Sequence, residues 1–169
     1  MIRADQHLVL VGMMGVGKTT VARVVAVRLG RRVFDSDAII ESRHGRTVRE
    51  IFAEDGEAAF RELETEVLLE ALASPEPVVI AAAGGVVLSQ TNRDALKAAA
   101  ARVVWLCADP ETLVQRVQGS GHRPLLDDDP GGTLQRMFRD REALYRGVAD
   151  AIVLVDNRSV SDVVEAVLR

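Results

Sequence analysis

The chain has 169 residues, 48% hydrophobic and 27% charged, a balance that excludes an intrinsically disordered polymer and fits one globular domain with a single core. A net charge of −4, with arginines scattered among acidic residues instead of massed in a basic block, argues against a nucleic-acid partner. Cys107 is the single cysteine, so no intramolecular disulfide forms, and its apolar surroundings predict a buried strand residue.

Along the chain, the opening MIRADQHLVLVG offers only a short apolar run before glycine intervenes, too brief for the apolar segment of a signal peptide. The longest weakly polar stretch, 77–88, falls short of the ~18 apolar residues of a membrane span, so a cytoplasmic protein with no membrane partner is expected. Short runs rich in Val, Ile and Leu at 8–11, 33–34, 78–81, 103–107 and 152–155 alternate with longer segments of helical period. This is the pattern of a parallel sheet covered by crossover helices, an α/β fold. Thr47 with Glu50 reads as a capping box, and Asp109 before Pro110 as an N-cap and first helical residue. Phe60, Leu63, Val67 and Ala71 share one helical face, which leaves Arg61 and Glu64 together beside it. From 119 to 132 glycines, prolines and three consecutive aspartates break the period between two helical stretches and predict a mobile surface loop. With no internal repeat and no linker, residues 1–169 are expected to form one domain.

The strongest chemical signal is Gly12-Met13-Met14-Gly15-Val16-Gly17-Lys18-Thr19, a P-loop pattern directly behind the apolar strand HLVLV. Glycines let the backbone wrap a phosphate and bring successive N–H groups and a helix N-terminus to the anion. Lys18 would reach the β and γ phosphates, and the Thr19 hydroxyl would ligate Mg2+. A P-loop alone names no acceptor.

Downstream residues carry two readings each. Asp35 and Asp37 would share one side of an extended segment, or serve as a helix N-cap and a solvated acid. Arg61 would pair with Glu57 one helical turn away, or hold an anion. Gly84 and Gly85 form a simple turn after a buried strand, or let backbone amides approach a substrate. Arg123 is a solvated loop arginine near three aspartates, or a mobile catalytic cation. The histidines His7, His44 and His122 form no metal-binding pattern.

Taken in order behind the P-loop, Asp35-Ser36-Asp37, Phe60-Arg61, Ala83-Gly84-Gly85, Arg123-Pro124-Leu125-Leu126 and Arg141-Glu142-Ala143-Leu144-Tyr145 make the chain resemble the shikimate kinase family from end to end. That resemblance implies a three-layer P-loop kinase fold, similar to nucleoside monophosphate kinases, with a five-stranded parallel sheet and a mobile lid over about 119–132. It also implies transfer of the γ-phosphate of ATP to the 3-hydroxyl of shikimate in chorismate biosynthesis, with one Mg2+ per subunit, by a monomer. Catalytic roles fall on Lys18, Asp37 and Arg123. ATP would be bound by residues 12–20, ending in Thr19 and Thr20, and by Arg116, Arg123 and Arg158. Shikimate would be bound by Asp37, Arg61, Gly84, Gly85 and Arg141, with Arg61 and Arg141 on its carboxylate and Glu64 orienting Arg61; Thr19 and Asp35 would serve the metal. The family's usual glycine triplet is here Ala83-Gly84-Gly85, which strains the site if its first position needs a positive φ. Rival readings are a kinase for another polyol acid such as gluconate, and an ATP-binding regulatory relative without catalysis.

Overall fold

Five residues in a row, His7–Val11, are buried, because this first strand, β1, is covered on both faces. The other strands are β2 Val33–Asp35, β3 Val79–Ala81, β4 Ala101–Cys107 and β5 Ala151–Leu154. In this computed structural model, which describes residues 2–117 and 129–169, they form one parallel sheet in the order β2-β3-β1-β4-β5. Each expected strand is present, its ends displaced by at most two residues.

The helices are α1 Lys18–Leu29, α2 Ser36–His44, α3 Val48–Leu72, α4 Gln90–Ala98, α5 Pro110–Val117, α6 Pro130–Val148 and α7 Val160–Leu168, with a 3-10 turn at Val86–Leu88. Right-handed crossovers place α1 and α7 together on one face of the sheet and α3, α4 and α6 on the other. The core runs between them through Leu8, Leu10, Ile80, Val104 and Leu106. Among the described residues no helix is long and apolar enough to cross a membrane.

Local chemistry sets the ends. The Thr47–Glu50 capping box is formed in both directions, with Thr47 N donating to Glu50 at 2.6 Å and Glu50 N to Thr47 at 3.2 Å. α5 begins at Pro110, as the Asp109-Pro110 pair predicts. Residues 130–132, assigned to the loop from sequence, instead form the first turn of α6. Asp129 caps that turn by accepting from Gly132 N at 3.0 Å, and Pro130 stands where no N–H is needed.

Three further expectations are corrected. Cys107 closes β4 at the sheet's open edge and is only partly buried; burial and nearby Asp156 still push its thiol up. Asp35 and Asp37 do not share an extended segment, because β2 ends at Asp35 and α2 starts at Ser36. On α3 the buried face runs through Phe60, Glu64, Val67, Leu68 and Ala71, so Glu64 lies inside while Leu63 is half-buried. α3 is broken at Gly56, whose φ of 86° and ψ of 169° belong to a region that side chains exclude. This break sets the direction of the turns that carry Arg61 and Glu64. Gly56→Ala has open space for its methyl but not the backbone angles, and should lower the unfolding free energy by ~1–3 kcal/mol in urea denaturation. Unchanged stability would show that the segment straightens without cost.

Candidate active site

β1 delivers the chain into the P-loop at the carboxyl edge of the sheet. Gly12 has φ 144°, and a Cβ built on it would lie 2.4 Å from the Leu106 carbonyl, so no larger residue fits against β4 there. Gly17, also at positive φ, is the N-cap of α1 and offers no side chain to its first turn. The leading amides of α1 are therefore left for an anion. Met13 and Val16 are buried and contribute main chain only. Lys18 folds over the loop, its Nζ donating to Gly12 O at 2.8 Å and Met13 O at 3.0 Å.

A cavity of about 240 Å³ brings Lys18, Thr19, Thr20, Asp35, Asp37 and Gly84 together. Asp35 serves two elements with its two oxygens: one accepts from Ala38 N at 3.2 Å and caps α2, while the other accepts from the Thr19 hydroxyl at 2.5 Å. Asp35 is thus both the cap of α2 and the partner of the P-loop threonine. Hydroxyl and carboxylate oxygens are the hard donors Mg2+ prefers, and two of them leave most of its coordination to phosphate and water, so the pair fits that ion. Asp37, exposed in the first turn of α2, faces the same cavity.

The second half of the site is built on the Gly84–Gly85 turn. A Cβ on Gly84 would lie 3.4 Å from Met14 N and 3.6 Å from Gly12 O, so the turn abuts the P-loop. A Cβ on Gly85 would lie 1.8 Å from Arg61 Nη1, which shows the guanidinium resting on bare backbone. From the other side Arg141, 5% exposed, donates to Gly84 O at 3.3 Å. Two guanidiniums thus converge on one turn beside the phosphate loop, an arrangement suited to an acceptor that carries a carboxylate. Ala83 is buried and its φ is not positive, so its methyl causes no backbone strain.

Arg61 makes both contacts weighed from sequence, Nη2 to Glu57 at 2.9 Å and Nη1 to both oxygens of Glu64 at 2.7 and 2.8 Å. Because a single Nη1 is shared, this is not the fork-to-fork pair that binds a carboxylate most strongly. Glu64 is 2% exposed; burial pushes its carboxyl up to about 7, opposed by Arg61 and Arg141 and reinforced by Asp37.

Arg116 Nη1 donates to Val16 O and Nη2 to Val155 O, each at 3.4 Å, joining the P-loop to the β5–α7 connection. Arg158 sits on that connection and donates to Leu154 O at 3.2 Å and Asp162 O at 2.9 Å. Arg123 and residues 119–128 of the expected lid lie outside the described residues. Sequence reasoning missed Tyr145, whose hydroxyl donates to Gly84 O at 2.5 Å. The signal was its place four residues after Arg141, on the same helical face.

The chain is similar to known proteins over nearly its whole length. The profile of the family described as shikimate kinase matches residues 14–169. A shikimate kinase of Symbiobacterium thermophilum is 45% identical over 96% of this chain and 94% of its own, and one of Burkholderia lata is 44% identical over 97% and 90%. Among solved structures, shikimate kinase from Acinetobacter baumannii in complex with shikimate superposes with a TM-score of 0.92 at 37% identity, covering 96% of this chain and 90% of that one.

The raised Glu64 carboxyl has a consequence for stability. Its folded form keeps a proton that the unfolded chain releases near the ordinary value of 4.5, so this group makes stability fall as pH rises from about 4.5 through about 7. Glu64→Gln should flatten that decline in urea unfolding measured across this range. Parallel declines in both proteins would remove Glu64 as the cause.

Proposed function

Because the chain belongs to the shikimate kinase family, we propose that it transfers the γ-phosphoryl group of ATP to the 3-hydroxyl of shikimate, giving shikimate 3-phosphate and ADP on the route to chorismate. The observation that carries this reading is the convergence of Arg61 and Arg141 on the Gly84–Gly85 turn, against the P-loop and beside Asp37.

In this reading the P-loop amides and the N-terminus of α1 hold the phosphates, and Lys18 leaves its main-chain carbonyls to follow the transferring charge. Arg61 and Arg141 grip the shikimate carboxylate, which turns the hydroxyl toward the γ-phosphorus. Asp37 accepts the hydroxyl proton as the new O–P bond forms and the bond to the ADP oxygen breaks. Thr19 and Asp35 would hold Mg2+, which when bound neutralises charge on the phosphates. Arg116 and Arg158 border the adenine, and Arg123 supplies a further positive charge to the transferring phosphoryl group. Residues 1–169 act as one catalytic domain, a monomer in the cytoplasm, where ATP and shikimate are its partners.

ADP formation is measured with Mg-ATP and shikimate, gluconate or no acceptor, and the product is weighed by mass spectrometry. Shikimate-dependent ADP with shikimate 3-phosphate is expected; turnover on gluconate alone would overturn the acceptor. Lys18→Met should abolish transfer. Asp37→Asn should lower kcat by ~10²- to 10⁴-fold with ATP binding retained, and an unchanged rate would take Asp37 out of the proton transfer.

A further inference from the structure

Tyr145 belongs to the same segment as Arg141, yet the mechanism gives it nothing to do. The two side chains share a face of α6 and reach the same atom, the Gly84 carbonyl, with Tyr145 OH at 2.5 Å and Arg141 Nη1 at 3.3 Å. Tyr145 is fully buried, and its ring stacks on Trp105 of β4 with centroids 5.6 Å apart and planes at 20°. The sheet therefore fixes the phenol, and the phenol fixes the turn. The far side of the same turn is held by Asn92 Nδ2 on Val86 O at 3.0 Å, and by Arg93 Nη1 on Val87 O at 2.6 Å and Leu88 O at 3.0 Å.

Resting on the shikimate kinase reading, we propose that Tyr145 is a positioning residue for the acceptor substrate: its hydroxyl occupies the Gly84 carbonyl and so leaves the Arg141 guanidinium aimed at the substrate carboxylate. A carbonyl oxygen accepts along two lone pairs, and a buried one left short of donors carries a desolvation penalty. With the hydroxyl in place, Arg141 makes only a long contact to this carbonyl and also donates to the phenol oxygen, which holds its guanidinium beside the turn instead of on it. Without it, the carbonyl draws the guanidinium onto the main chain and competes with the substrate for the same N–H groups. Burial, opposed by Arg141, pushes the Tyr145 phenol up to about 12, so it stays a neutral donor throughout the pH range of an assay.

Tyr145→Phe removes the hydroxyl and keeps the ring. In the full chain the shikimate KM should rise about tenfold, the scale of one buried hydrogen bond, while kcat and the ATP KM stay within about twofold. Trp105, the chain's single tryptophan, stacks on this ring, so its emission should change on shikimate titration, and the variant should need about tenfold more shikimate for the same change. A double-mutant cycle with Arg141→Lys should be clearly less than additive in shikimate KM, because the hydroxyl acts through that arginine. A folded Tyr145→Phe with unchanged shikimate KM, a loss shared equally with the ATP KM, or additive effects in the cycle would each overturn the proposal. Absence of shikimate-dependent ADP formation by the parent chain would overturn the activity instead, so the two failures are told apart.

Discussion

Asp35, Ala81 and Leu10 stand side by side across three neighbouring strands, because a parallel sheet hands its chain on at one edge after every strand. Both faces of the sheet are covered, so that edge is where main-chain groups and charged side chains meet without entering the core. The P-loop follows β1, the α2 cap follows β2 and the double-glycine turn follows β3, and all three arrive together by topology alone. Thr19 and Asp35, 16 residues apart in sequence, touch for this reason.

The charged residues brought there are held at a cost that their neighbours offset. Arg141 and Glu64 are almost wholly enclosed, and a buried ion is tolerated only with compensating partners. Glu64 finds Arg61, while Arg141 finds a main-chain carbonyl, a neutral partner. Gly85 matters for what it lacks: its bare backbone is the surface on which the Arg61 guanidinium lies. The site thus sets a guanidinium held by two carboxylates, Arg61, beside one held by main chain, Arg141.

How much of this was legible in the sequence depended on whether a residue's role is local. The P-loop was readable because strand, glycines, Lys18 and Thr19 are contiguous, and the Thr47–Glu50 box because a cap needs only four residues. The sheet followed from runs of β-branched residues. The burial of Glu64 was not legible, since a charged residue reads as solvated even where its spacing from Phe60, Val67 and Ala71 puts it on the apolar face. The conformation at Ala83 depends on backbone angles that no residue type reveals. Tyr145 was hidden for a third reason: its partner is a carbonyl 61 residues earlier, and a carbonyl is present at every position. Asp35 was legible as a helix cap, because a cap is local; its second contact, with the Thr19 hydroxyl, depends on two strands joining one sheet.

Arg116 ties Val16, 100 residues before it, to Val155, 39 residues after it. The P-loop and the end of the last strand are thus stitched by a side chain that lies between them in sequence. Contacts of such long sequence separation carry a loop-closure cost that local contacts do not. During synthesis the P-loop emerges early, but β1 lacks both of its neighbours until β3 and β4 have been made, and the clamp on Val155 waits for β5. The tie that Arg116 makes between the P-loop and the end of β5 can therefore form only after the last strand has been made, and a chain cut short before β5 would lack it.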